Sequence, residues 1–344
     1  MRPRMADRDA GAGAGPYSRG SQSLSEGLID RIAMTHINFR DLRYLVAVAD
    51  LQHFGRAAAA CYVSQPTLST QIKKLEQYLG VQLVERTSKR VMVTPVGRSI
   101  AERARRVLNE VEDIVDTARA AGDPLAGELR LGVIPTLGPY LIPHFFPLLR
   151  EAYPRLRVLL HEERTAGLLE RLRRGGLDAA IMARPVPDEG LEWRTLFREP
   201  FHVAMPAGHR LAARGRLRLD DLRAESMLLL EEGHCLRDQA LDVCSMVGAR
   251  EEAEFRATSL ETLRQMVASG AGITLLPALA AGPQGGAPAQ GLVLRPFAGE
   301  PPAREIALFW RRGCAREAAV EALGELIAGL EPVRGLELPL AAEG

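Results

Sequence analysis

The chain's most chemically loaded stretch is Glu231-Glu-Gly-His-Cys-Leu-Arg-Asp-Gln-Ala-Leu-Asp-Val-Cys244. Cys235 follows a strand-like run and a glycine, where a helix can begin. A helix N-terminus carries positive partial charge that favours a thiolate over a thiol. His234 and Arg237 add donors beside the sulfur, and Asp238 can orient Arg237 or a hydroxyl. The pattern predicts a reactive cysteine whose thiolate attacks an electrophilic oxygen such as that of a peroxide. Cys244 lies nine residues further on. On a single helix the two would be ~13 Å apart along the axis and on opposite faces. A disulfide needs Cα atoms within ~7 Å. Joining them would therefore require the segment to unwind and rebuild, which makes it a two-state element. The chemistry would take Cys235 to the sulfenic acid, which then condenses with Cys244. Two other readings stay open. One is a buried structural cysteine. The other is a zinc site of His234, Cys235 and Cys244, although adjacent His and Cys is no standard zinc spacing. Cys61 and Cys314 read as structural.

A chain of 344 residues, 47% hydrophobic and 25% charged, has ordinary globular composition. Its length suggests two or three domains with real cores. The formal net charge of +1 points to no partner by itself. Without an apolar run of ~18 residues, a membrane span is not expected. Four cysteines are too few for a disulfide scaffold and fit a reducing, cytoplasmic setting. Met1 to Ala33 is rich in Gly, Ala, Ser and Arg and lacks the apolar core of a secretory signal, so residues 1–36 read as a disordered extension. Met34, directly before the first periodic pattern, is an alternative start to Met1.

Local charge is more telling. All three lysines (Lys73, Lys74, Lys89) fall within 17 positions. Between Ile37 and Thr94 eight basic residues face four acidic ones, an excess of the kind a phosphate backbone attracts. Three short helices are predicted: Phe39 to Ala49, Gly55 to Cys61, and one opened by Ser64-Gln-Pro-Thr. Ser64 can cap the third and Pro66 fits its first turn. Leu68, Ile72, Leu75 and Leu79 form its apolar stripe, and Gly80 ends it. The opposite face presents Pro66, Ser69, Thr70, Lys73 and Gln77, a set suited to a recognition helix in a major groove. Leu83 to Thr94 reads as a β-wing, with Arg86, Lys89 and Arg90 able to meet phosphates. A small helical bundle with a solvated basic face is the competing reading.

Thr94 and Pro95 then open a long helix to about Ala121, stopped by Gly122-Asp123-Pro124. Twenty-seven residues make a rod of ~40 Å. Its stripe of Val96, Ile100, Ala104, Val107, Leu108, Val111, Ile114, Val115 and Ala118 predicts a partner helix, and hence a dimer. From Gly127 strands and helices alternate, which predicts an α/β module with mainly parallel sheets and room for two subdomains with a cleft. No Gly-x-Gly-x-x-Gly follows a strand and no phosphate loop occurs, so no nucleotide cofactor is expected.

Phe39 to Gly97, with its core AAAACYVSQPTLSTQIKKLEQYLGVQLVERTSKRVMVTPVG, resembles the winged helix-turn-helix of LysR-type transcriptional regulators. The resemblance implies that Gln65, Pro66 and Thr67 sit at the DNA. Farther on, GHCLRDQAL, FRATSLETLR (Phe255–Arg264), GITLLPALA (Gly272–Ala280) and VIPTLGPYLIPH (Val133–His144) resemble the peroxide-sensing OxyR group of that family. The likeness covers about Ile37 to Arg312. It implies a peroxidatic Cys235, a resolving Cys244, and a peroxide pocket of Thr136, Thr165, His234, Cys235, Arg237 and Asp238. The overall class is then α+β: a winged helix-turn-helix (37–94), a linker helix (95–122) and a two-subdomain, periplasmic-binding-protein-like α/β domain (127–312), with a C-terminal segment after it. Crossings between the subdomains are expected near Leu196–Pro200 and Leu294–Pro302. Implied partners are a double-stranded DNA operator, further copies of the chain as dimer or tetramer, RNA polymerase, hydrogen peroxide as signal, and a thioredoxin- or glutaredoxin-type reductant. Glu254 departs from the histidine common in the group. A regulator answering a small organic effector, and a thiol peroxidase that binds DNA, are the alternatives; a DNA module and a dimer helix serve no peroxidase, so no enzyme is expected.

Overall fold

In the computed structural model, which describes residues 37–86, 91–120, 122–187, 189–223, 225–281, 291–334 and 336, the predicted caps Ser64 and Thr94 both operate, and Asn38 and His53 add two that the sequence reading did not name. Asn38 Oδ1 accepts from Asp41 N–H at 3.0 Å while Asp41 accepts from Asn38 N–H at 3.3 Å, a reciprocal cap. It opens α1 (Phe39–Leu51). His53 Nδ1 caps α2 (Phe54–Ala60). Ser64 Oγ accepts from Thr67 N–H and opens α3 (Gln65–Leu79), which ends on Gly80 at φ 67°. Leu45, Val48, Phe54, Ala57, Leu68, Ile72, Leu75, Leu83 and Val84 make one small core.

The wing is a two-stranded antiparallel hairpin, β1 (Val84–Arg86) and β2 (Val91–Val93). Glu76 on α3 accepts from Leu83 N–H at 2.9 Å and Val84 N–H at 3.0 Å, tying the wing's first strand to the third helix. A Cβ at Gly97 would lie 2.1 Å from the Leu83 carbonyl, so only glycine allows this approach. Thr94 Oγ1 accepts from Gly97 N–H, capping α4 (Pro95–Ala120). Ala101 and Ala104 of α4 are buried, whereas Val96, Val107, Ile114 and Val115 are exposed. The chain divides into two compact units, residues 1–108 and 109–344.

In the second unit, β3 (Gly127–Val133), α5 (Gly138–Ala152), β4 (Leu156–Glu162), α6 (Thr165–Arg173) and β5 (Ala179–Arg184) follow the predicted alternation. Strand β3 lies between β4 and β5, parallel to both. The chain then runs through β6 (Leu191–Pro206), β7 (Ser226–Leu230), α7 (Cys235–Val247), β8 (Arg250–Ala257), α8 (Leu260–Ala268), β9 (Thr274–Pro277), α9 (Ala278–Ala281), β10 (Leu292–Pro296), β11 (Ala303–Arg311), α10 (Glu317–Ala328) and α11 (Glu331–Arg334).

The expectation of mainly parallel sheets is corrected. Strand β11 is antiparallel to both β5 and β6, and β9 and β10 are antiparallel to β6; among the described strands of the unit only β3–β4, β3–β5 and β7–β8 pair in parallel. The reason is the crossover. Residues 191–200 of β6 pair with β11, and residues 201–206 pair with β9 and β10. One unbroken strand thus carries the chain out of the first lobe, and β11 brings it back. The predicted crossings near Leu196–Pro200 and Leu294–Pro302 coincide with this change of partners.

Residues 1–36, Lys89, Arg90 and Ala121 lie outside the described residues, as do the side chains of Arg86 and Glu254. Among the described residues no helix is long and apolar enough to cross a membrane.

Candidate redox centre and DNA-reading helix

Helix α3 presents what its sequence predicts. Leu68, Ile72 and Leu75 are buried, and Ser64, Gln65, Pro66, Thr67, Thr70 and Lys73 are exposed. Ser69 is half-buried. The Thr67 hydroxyl is partly engaged in the cap, 2.8 Å from Ser64 Oγ.

The redox centre is assembled from four places in the chain. After β7 the chain turns at Gly233 (φ 93°), a left-handed conformation that disfavours a side chain, with the Arg164 guanidinium packed over it. His234 is the N-cap residue of α7 and Cys235 its first residue. Thr165 begins α6, and Thr136 lies between β3 and α5. All four cysteines are free thiols. One helix does span Cys235 and Cys244, so at ~1.5 Å per residue the two thiols sit ~13 Å apart along its axis and face opposite ways. His234, Cys235 and Cys244 therefore do not converge, and among the described residues no three His, Cys, Asp or Glu side chains form a metal cluster.

Sequence reasoning missed the charge that matters most here. Arg304, on the returning strand β11, is fully buried, as is Glu199 on the outgoing strand β6. Arg304 Nε donates to Glu199 Oε2 at 2.8 Å. Its terminal nitrogens donate to Thr136 Oγ1 at 2.9 Å and to the Thr136 carbonyl at 3.1 Å. Glu199 Oε1 in turn accepts from Leu279 N–H at 2.8 Å. The pair is therefore hydrogen-bonded on several sides, which a buried ion pair needs. Because Arg304 occupies a lone pair of the Thr136 hydroxyl, that hydroxyl keeps its own hydrogen to donate.

The Cys235 thiol is pushed above its ordinary range, chiefly by burial. Three groups oppose burial: the Arg304 charge, a hydrogen bond with Thr165, and the Leu236 N–H. The Asp238 charge adds to the rise. The expected thiolate-favouring helix end is thus present in the Leu236 N–H, but desolvation outweighs it. Thr165 Oγ1 is buried and has no hydrogen-bond partner among the described residues, which leaves it free to act on the neighbouring thiol. His234 is held below the usual imidazole range by burial and by the Arg164 charge, despite Glu231 and a hydrogen bond to the Thr258 backbone. Its Nε2 is buried and unpartnered among the described residues. Arg304 thus holds Thr136 by hydrogen bonds and acts with Thr165 on the Cys235 thiol, while His234 adjoins Cys235 at the start of α7.

Two predicted roles need correction. Arg237 spends its terminal nitrogens on Glu251 (2.7 and 3.2 Å) and the Leu230 carbonyl (3.2 Å), so the cation that lowers the thiol's pKa is Arg304 instead. Asp238 is exposed, and Glu251 rather than Asp238 orients Arg237. No periodicity could reveal Arg304 among 41 arginines, since its partners lie about a hundred or more positions away in sequence.

A helix-turn-helix with a wing, followed by a two-lobed module with a half-buried cysteine at a helix start, defines a ligand- or signal-responsive transcription regulator. Residues 39–98 match the model of the bacterial regulatory helix-turn-helix protein, lysR family, and residues 122–330 match the LysR substrate binding domain. The chain belongs to the LysR family. Within it, the chain is 47% identical over 291 residues to the DNA-binding transcriptional dual regulator OxyR of Escherichia coli K12, spanning 85% of this chain and 95% of that protein. It superposes on a full-length cysteine-to-aspartate variant of OxyR from Pseudomonas aeruginosa with a TM-score of 0.73 and 40% identity, covering 89% of this chain and 99% of that one. A cysteine-to-serine variant of Corynebacterium glutamicum OxyR with H2O2 bound matches with a TM-score of 0.60 and 34% identity, over 90% and 99% of the two chains.

Proposed function

We propose that this chain is a DNA-binding transcriptional regulator that senses hydrogen peroxide by oxidising Cys235 and joining it to Cys244. The observation that carries the reading is the free Cys235 thiol at the start of α7, its pKa lowered by the charge of the buried Arg304 that also holds Thr136, in a chain that also bears a recognition helix. The Cys235 thiolate displaces hydroxide from the peroxide and becomes a sulfenic acid. Thr136 and Thr165 hydroxyls and the His234 imidazole offer hydrogen bonds to the peroxide and its leaving oxygen, and Arg304 offsets the developing negative charge. Cys244 then attacks the sulfenic sulfur, the S–O bond breaks, and water leaves. Since the two cysteines face opposite ways on α7, the disulfide requires that helix to unwind.

The exposed valines and isoleucine of α4 support a dimer through that helix. Residues 37–94, 95–122 and 127–312 serve as DNA-binding, dimerising and sensing regions. A change in subunit arrangement would alter how paired recognition helices meet successive half-sites. Ser64, Gln65, Pro66, Thr67, Ser69, Thr70 and Lys73, with Arg86, Lys89 and Arg90 of the wing, contact operator DNA. RNA polymerase is the partner at the promoter, a thioredoxin- or glutaredoxin-type dithiol resets the switch, and the setting is cytoplasmic, at the nucleoid.

The test is a selection of random-sequence duplex DNA by the reduced and the peroxide-treated chain. The reading expects the two forms to protect different patterns, and Cys235→Ser to show only the reduced pattern. Identical footprints before and after peroxide would overturn it.

A further inference from the structure

Helix α7 must come apart for Cys235 to reach Cys244, so whatever fastens α7 sets how readily the sensor switches. Its first turn is fastened by a residue other than Cys235. Arg237, in the first turn, is nearly buried and grips both oxygens of Glu251 on β8, at 2.7 and 3.2 Å, while donating to the Leu230 carbonyl on β7. Arg256 braces Glu251 from the same strand at 3.5 Å and also approaches Glu232 at 3.8 Å. Both arginines hold the Glu251 carboxyl below its usual range, with the hydrogen bond from Arg237 as the largest cause. Glu251 is therefore ionised and pinned from two sides. The same carboxylate, after burial, contributes to raising the Cys244 thiol. Arg237 is two residues beyond Cys235, and Glu251 seven beyond Cys244. A guanidinium that fills a fixed fork of carboxylate and carbonyl cannot follow an unwinding first turn and keep all three bonds.

We propose that Glu251, through Arg237, is the positioning residue that latches α7 in its dithiol form, so that the latch opposes disulfide formation and sets the reduction potential of the Cys235–Cys244 pair. This rests on the redox reading above. Per cycle, two thiols and one H2O2 give one disulfide and two waters; in a dithiothreitol buffer, two thiols and oxidised dithiothreitol give one disulfide and reduced dithiothreitol.

The full-length chain and its Glu251→Gln variant are equilibrated in mixtures of reduced and oxidised dithiothreitol, and the disulfide is quantified by mass spectrometry. Glu251→Gln is expected to raise the oxidation constant at least tenfold, about 30 mV toward more negative potential. Arg237→Lys, which keeps the charge but loses the fork, should shift it in the same direction by less, and serves if Glu251→Gln does not fold. Glu192→Gln, which neutralises a surface partner of Arg312, should leave it unchanged. In a Cys244→Ser background, the rate of Cys235 sulfenic acid formation with H2O2 should be the same with Glu251 or Gln. An unchanged oxidation constant in both latch variants would overturn the latch while leaving the sensor reading intact. A wild-type chain that forms no Cys235–Cys244 disulfide in any dithiothreitol mixture would overturn the switch and the latch together.

Discussion

Helices α3 and α7 are of similar length, 15 and 13 residues, and both carry the residues that the function depends on. They use opposite strategies. The working side chains of α3 point outward and await a partner, while a regular apolar stripe fixes the helix from beneath. On α7 the working residues point inward, and what governs them comes from other elements: Arg304 of β11, Thr165 of α6 and Glu251 of β8. A helix that reads DNA needs rigidity and exposure. One that must unwind on a chemical signal needs a buried trigger and fastenings that can be released.

The sharpest way to break this comparison is Cys235→Ser, which should abolish the response to H2O2 while leaving α3 able to bind DNA. Fluorescence anisotropy on a selected duplex, with and without peroxide, measures both. Next in size is Arg304→Met. It leaves Glu199 buried and unpaired, and should cost about 3–5 kcal/mol of stability in denaturant unfolding. Adding Glu199→Leu should recover much of the stability but not the rate of Cys235 oxidation, which separates Arg304's packing from its charge.

The raised Cys235 pKa gives a pH test. A thiol displaced upward keeps its proton at neutral pH, so its thiolate fraction grows as pH rises. Alkylation of Cys235 by iodoacetamide should still be accelerating at pH 9, about tenfold per unit below the pKa. A plateau below pH 8 would mean that Arg304 and the helix end outweigh burial.

On α3, Gln65→Ala should relax discrimination at one base position by about 1–3 kcal/mol. Lys73→Ala should weaken binding to all sequences alike and reduce the salt slope by about 1. Smallest is Ser64→Ala, which removes a cap worth about 1 kcal/mol, lowers the melting temperature and leaves peroxide oxidation untouched.

The two helices also differ in how legible they were. Nearly everything about α3 could be read in order, because cap, stripe and terminator are local signals: Ser64, Leu68-Ile72-Leu75 and Gly80 sit where the spacing put them. The α/β alternation from Gly127 to Arg184 was equally plain. The long β6 was not, since it changes partners midway and its solvent exposure changes with them. For α7, the sequence offered a helix start at Cys235 and put the two cysteines on opposite faces of any single helix, but assigned Arg237 to the thiol and Asp238 to Arg237. The structure gives Arg237 to Glu251 and leaves Asp238 exposed. Arg304 and Glu199 were invisible because a buried ion pair is a property of tertiary packing; each looks like any other charged residue in a strand.

The central claim is that peroxide turns one helix with two separated thiols into a disulfide-closed segment. Mass-spectrometric mapping of the reduced full-length chain after about one equivalent of H2O2, with Cys235→Ser and Cys244→Ser alongside, tests it most directly, since the thiols must cross from ~13 Å to bonding distance. The account predicts a Cys235–Cys244 disulfide formed within seconds to minutes and absent from both variants. A Cys235 that remains a thiol, or one that oxidises while Cys244 stays free, would contradict it.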